Sequence, residues 1–342
     1  MTETLYPYGS TAGLRQDVLR VLGVLKVATA EQIRALTRPA AKSNKSHRNA
    51  ALDLQLHGLT VSEGHASNGH KLWGLTPAGL ASAASLLRRG AEEMGGTAPG
   101  TARHGAVHAL AVNETITTFI QSGAGERRKM ELGEIAEWST EVPLPASGSW
   151  SRPGVGSPRA DAVLYAPEAE VPLLLVEVDC GTETAATVAA KFERYQRFFQ
   201  REVEDTDGRR ALLWRTRWGG MEGAEHPPVA VVFTGLGSRG LRQRMEAVGE
   251  LSVRYWLPSA SGLDGLAVRR NKVIPILVTT LDRLRVYGPH GPTWWRYGHR
   301  AWESLGVALG QHQISARVAE GGCTGVPSDD SGPAPGDYDQ RL

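Results

Sequence analysis

The chain has almost no means of covalent bracing: its 342 residues include two cysteines, Cys180 and Cys323. Two make no disulfide framework, and neither sits at zinc-ligand spacing with other ligands. Cys180 is by default a small buried residue. No apolar run reaches the roughly 18 residues of a membrane span, and no charged region precedes an apolar one at the N-terminus. Membrane insertion and secretion are therefore not expected, and a soluble cytoplasmic protein is. There is no internal repeat, which excludes a solenoid. No long heptad pattern argues for a coiled coil, so a homodimer is left open rather than indicated. Charge of one sign is also lacking, with 38 Lys and Arg against 36 Asp and Glu and a formal net charge of +2.

What is present is enough apolar residue, 41% of the chain, to build sizeable cores, and enough length for about two domains. Composition shifts place a first domain at 1–91, a Gly/Ala/Thr/Pro-rich linker at 92–103, a second domain at 104–318 and a disordered, acidic tail at 319–342. The fold class expected is α/β (α+β), with a mixed central sheet in the second domain.

In the first domain, Leu14, Val18, Val21, Leu22 and Leu25 have the spacing of one apolar helix face. A second helix starts at Thr29, where Gln32 three residues later completes a capping box, and Arg38-Pro39 ends it. A third runs from about Lys42 to His57, basic and polar in its first half and apolar in its second. The segments 59–64 and 71–76 flank a Gly/Asn turn and form a two-stranded wing. Three helices and a wing resemble a winged helix-turn-helix, whose third helix enters the major groove. That resemblance nominates Lys42, Asn44, Lys45, Ser46, His47 and Arg48 for DNA contact, with His70 and Lys71 of the wing near phosphates. Asn44 and Arg48 suit base edges, and the other cations suit the backbone. Residues 1–80 hold 9 Lys and Arg against 5 Asp and Glu, a modest positive excess. The alternative is a winged helix used for protein contact.

The second domain carries the chemistry. The strand 172–179 is apolar until its last residues, where Glu177 and Asp179 alternate onto one face. A strand over about 160–165 would pair with it and bring Asp161 beside Glu177. Three carboxylates around one point repel unless a cation neutralises them, and Mg²⁺ (or Mn²⁺) is such a hard cation. On the next helix Val188, Phe192, Tyr195 and Phe199 form an apolar stripe, and Lys191 and Tyr195 share its edge at i, i+4. Lysine there would stabilise charge on a phosphate, and tyrosine would position a strand or water. The alternative is a set of strand-end and helix-surface residues facing solvent.

This order of strand, acid-x-acid strand and K-x-x-x-Y helix resembles the PD-(D/E)XK nuclease superfamily, in the form whose lysine has moved to the following helix. On that resemblance Asp161 and Glu177 are the family's two acids, Lys191 is the displaced lysine and Asp179 stands where lysine is usual. The last departure leaves room for an inactive, DNA-binding descendant. The winged helix, the His108-x-Leu110-x-Val112-Asn113 motif and the nuclease-like core together resemble the actinobacterial replication-relaxation family, over about residues 10–285. Related to it are plasmid mobilisation relaxases built on the same nuclease fold, which nick without tyrosine and histidine; this chain likewise has no His-hydrophobe-His pair. The resemblance implies catalytic Asp161, Glu177, Asp179, Lys191 and Tyr195, a metal on the three acids, and duplex DNA as partner, with single-stranded DNA at an origin.

Other features read more simply. His104 and His108 are i, i+4 but lack a third ligand, so a helix packed on a sheet is expected; Glu114 lies on the same helix. Gly235–Gly240 follows a strand and precedes a helix, as an ordinary strand-to-helix turn does. Trp214, Trp218, Trp294, Trp295 and Tyr297, interleaved with arginines, could stack on bases or fill a core. The core is the expectation.

Overall fold

The computed structural model describes residues 5–90, 93–97, 105–122, 135–204, 208–219, 226–257, 273–309 and 325–327. The chain divides into two compact units, residues 1–121 with 139–142, and residues 122–138 with 143–342.

The first unit begins with α1 (Ala12–Val24), β1 (Val27–Thr29) and α2 (Ala30–Thr37). Thr11 caps α1 by accepting from the Leu14 N–H, and all five residues of the expected apolar face are buried. Thr29 and Gln32 form the reciprocal capping box at the start of α2. Arg34 of α2 then donates to the carbonyls of Pro39 and Ala41 at 2.9 and 2.6 Å, fixing the turn that leads onward. Next come α3 (Lys45–Leu56), β2 (Thr60–His65), β3 (Lys71–Leu75), α4 (Pro77–Leu87) and α5 (Ala106–Ser122). The wing strands β2 and β3 pair antiparallel as expected, and the short β1 joins them to give the order β1-β3-β2. Gly79 of α4 lies so close to the chain that an added Cβ would stand 1.9 Å from the Leu59 carbonyl oxygen. No other residue fits there.

α5 belongs to this first unit, whereas the sequence placed it at the start of the second domain. Its Asn113 amide, buried, donates to the Val27 carbonyl at 2.8 Å and to Gln32 at 3.2 Å. Gln32 in turn donates to the Leu110 carbonyl. The His-x-Leu-x-Val-Asn motif is thereby explained as packing against β1 and α2. His104 lies outside the described residues, as do most of the linker at 92–103 and of the tail at 319–342. In the described part of the linker Met94 is buried, and the Gly95 N–H donates to Gly23.

The second unit is α/β. Its main elements are β4 (Glu137–Pro143, whose middle residues fall in the first unit), β5 (Arg159–Tyr165), β6 (Leu173–Asp179), α6 (Ala185–Phe199), β7 (Glu202–Glu204), β8 (Arg210–Leu212), β9 (Val229–Phe233), α7 (Ser238–Leu251), β10 (Ile276–Thr280) and β11 (Trp295–Arg296), with short helices at Leu213–Thr216, Val253–Trp256, Leu281–Tyr287 and Leu305–Leu309. Six strands make one mixed sheet in the order β11-β10-β9-β6-β5-β4, and β7 pairs with β8 separately. β6, β9 and β10 are parallel neighbours, while β5 is antiparallel to β6. All seven residues of β6 are buried, as a strand with neighbours on both sides requires. Parallel strands need crossovers, and α6 and α7 supply them. The stripe Val188, Phe192, Tyr195 and Phe199 is buried throughout.

The tryptophans behave as core. Trp214, Trp294 and Trp295 are fully buried, and Trp218 packs edge-on against Trp150 at 5.4 Å between ring centres. No helix among the described residues is long and apolar enough to cross a membrane.

Candidate functional site

Two of the three expected carboxylates, Asp161 and Glu177, come together near one end of β6. The register that pairs Ala162 with Val176 brings Asp161 of β5 next to Glu177, and Oδ2 of Asp161 accepts the Val178 N–H at 2.7 Å. Lys191 and Tyr195, one turn apart on α6, both point at Glu177. Lys191 Nζ donates to Oε2 at 3.0 Å, and the buried Tyr195 hydroxyl donates to Oε1. Lys191 also reaches Glu183 at 3.3 Å. Four of the five nominated residues therefore meet at one carboxylate.

Electrostatics mark that carboxylate out. Burial and then the charge of Asp161 push the Glu177 carboxyl up to about 7, against the opposing pull of Lys191 and Tyr195. Burial also works against the Lys191 charge, but Glu177 and its neighbours more than offset it and hold the ammonium above its ordinary value. The Tyr195 hydroxyl is raised by burial and by Glu177, so it remains a donor. A carboxyl that changes protonation near neutrality beside a fixed cation is a common feature of reactive sites.

Asp179 ends β6 as expected but has a different partner. It is buried, but Arg244 of α7 grips it through Nε and through Nη2 at 3.0 Å, and the same Nη2 donates to the Glu183 carbonyl. Its Oδ1 also accepts the Gly181 N–H at 2.9 Å. The three-carboxylate metal set expected from the strand pattern is thus not assembled, because a guanidinium already neutralises the third acid. Among the described residues no group of three or more His, Cys, Asp and Glu is arranged to hold a metal ion. Asp161 and Glu177 remain as adjacent hard oxygen donors, the number through which Mg²⁺ usually binds while keeping several waters. Arg244 escaped the sequence reading because no spacing rule links it to a strand 65 residues upstream.

Gly235 explains the glycine-rich turn. At φ +82° its added Cβ would stand 2.5 Å from the Cys180 carbonyl oxygen, so the glycine allows β9 to turn beside the end of β6.

In the first unit, Lys42, Lys45, Ser46, Arg48 and His70 are exposed. Lys71 is half-buried, its ammonium 4.1 Å above the Trp73 ring. Asn44 donates to Glu31 at 3.1 Å. His47 is a correction: it is fully buried, its Nε2 is 3.0 Å from the Thr37 hydroxyl, and burial holds its pKa below the ordinary value. Helix periodicity turns it toward α2 while Ser46 and Arg48 face out.

A winged-helix unit and an α/β unit with a buried acid, lysine and tyrosine cluster at a strand end define the class of protein. Residues 19–211, more than half of the chain, match the replication-relaxation family, and the chain belongs to that family. No curated protein and no solved structure matches it. Membership points to a role in replication or mobilisation.

Proposed function

We propose that the protein binds duplex DNA of a mobile element through α3 and its wing, and that the Asp161, Glu177 and Lys191 cluster cuts a phosphodiester there. The observation that carries this reading is the Glu177 carboxyl, buried, raised to about 7 and held between Asp161, Lys191 and Tyr195. Burying such a group costs folding energy that an apolar residue would not, and reactive sites are where such arrangements recur.

Asp161 and Glu177 would hold Mg²⁺ or Mn²⁺, which when bound lowers the pKa of water and polarises a phosphate oxygen. Lys191 presents a fixed positive charge to the phosphate. Tyr195 holds the Glu177 carboxylate in one orientation. Asp179 serves as the anchor of Arg244, whose guanidinium adds a second cation to this end of the sheet. Single-stranded DNA exposed at an origin is a second partner in this reading.

The test is nicking of supercoiled plasmid carrying DNA of the element, with Mg²⁺ or Mn²⁺, by wild type, Glu177→Gln and Lys191→Ala. Metal-dependent nicking lost in both variants supports the enzyme. A second reading, a nuclease-fold protein retained for DNA contact alone, is favoured by Arg244 on Asp179 and by the protein donors on both Glu177 oxygens. It predicts intact plasmid and equal, salt-sensitive binding by all three proteins.

A further inference from the structure

Residues 5–10 run back along α3, held there by a buried acid that the sequence did not single out. Asp53 is fully buried; its two oxygens accept the Tyr8 and Ser10 N–H groups, both at 3.0 Å, and the Ser10 hydroxyl. Asn49 donates to the Tyr8 carbonyl at 3.2 Å. His57 meets the Leu5 carbonyl at 2.7 Å and packs on the Tyr6 ring, and the Arg15 guanidinium lies 3.4 Å from the centre of the same ring. A buried carboxylate engaged by two backbone N–H groups and a hydroxyl fixes the path of those donors.

That path leaves a cavity of about 370 Å³ between the segment and the first half of α3. Tyr8, Ser43, Lys45, Ser46 and Asn49 line it, and no acidic residue does. Lys42 and Arg48, both exposed, flank it on the same stretch of chain. Hydroxyl donors with a lysine and no carboxylate are the chemistry of a phosphodiester contact rather than of an apolar ligand.

We propose that residues 5–10 are an arm of the DNA interface, and that the cavity between the arm and α3 receives a backbone phosphate of duplex DNA. The proposal rests on the DNA-binding reading above and adds the arm to it. Asp53 acts as a positioning residue, holding the arm without touching DNA.

The experiment measures binding of the full chain to a fluorescent duplex of about 30 base pairs across a salt series. Tyr8 is 44% exposed and anchored through its backbone, so Tyr8→Glu brings a negative charge to the cavity while leaving the Asp53 bonds in place. Its expected effect is roughly 10-fold weaker binding at moderate salt, and Lys45→Ala should reduce the slope of log K against log salt by about one. Tyr8→Phe removes one hydroxyl donor and should bind roughly threefold weaker, and circular dichroism should be unchanged in all three. Wild-type affinity in Tyr8→Glu alongside a loss in Lys45→Ala overturns the arm while leaving α3 as the DNA surface. No duplex binding by the wild type removes the DNA-binding reading itself, and the arm with it.

Discussion

Each unit buries a carboxylate, and the two are treated in opposite ways. Asp53 in the first unit is pushed up by burial, but the Ser10 hydroxyl and the Tyr8 and Ser10 N–H groups pull it below its ordinary value. Glu177 in the second unit, with another acid beside it, ends up raised to about 7. A carboxylate surrounded by backbone donors stabilises the conformation that supplies them. One crowded by a second carboxylate and balanced by a single lysine and a tyrosine is poised to change its partners. The contrast separates an acid that builds structure from one arranged for chemistry.

The widest split is expected in paired substitutions. Glu177→Gln should lower plasmid nicking by about 1,000-fold, roughly 4 kcal/mol of barrier, measured by gel at fixed metal concentration. Its thermal stability should stay within about 1 kcal/mol of wild type, because the amide removes a desolvated charge. Asp53→Ala should do the reverse in stability, costing about 3 kcal/mol in denaturant melts by leaving the Tyr8 and Ser10 donors unpaired. Equal destabilisation by both substitutions would erase the distinction.

A smaller effect is expected in the pH dependence. The folded state holds the Glu177 proton more tightly than the unfolded chain does. Its contribution to stability is therefore greatest near and below pH 4.5 and declines as pH rises toward about 7. His47 acts with the opposite sign in the first unit: its folded pKa is lowered, so the unfolded chain takes the proton first. Stability there falls as pH drops below 6.5. Asp53 loses its contribution only as pH falls below 3.8 and through its lowered folded value. Hydrogen exchange resolved by unit, from pH 7 to pH 5, should show the second unit more protected and the first less. Glu177→Gln should flatten the response of the second unit alone.

The smallest effect concerns Arg244. Arg244→Lys keeps the charge but loses the two-pronged grip on Asp179, and should cut nicking by roughly 10-fold with little change in DNA affinity. A loss as large as that of Glu177→Gln would put Arg244 at the reacting phosphate itself.

The parts legible in the sequence were those written in local spacing. The capping box at Thr29 and Gln32, the stripe from Val188 to Phe199 and the alternation that faces Glu177 toward Asp161 each involve residues within a turn or a strand pair. What stayed hidden depends on contacts between distant segments. Arg244 reaches Asp179 across a βα crossover, and Asp53 is paired with backbone groups, which leave no mark on residue type. His47 was misplaced because its polar neighbours look alike in sequence, and only helix phase separates the residue facing Thr37 from those facing out. β1 is three residues long, too short for alternation to register.

The Asp53 anchor also bears on the order in which the molecule assembles. The carboxylate can leave water at little cost only when the Tyr8 and Ser10 amides arrive, and α3 must already be wound for Asp53 and Asn49 to face the same segment. The N-terminal segment is therefore set to close last and open first, like a latch, and exchange of those two amide protons would time each opening.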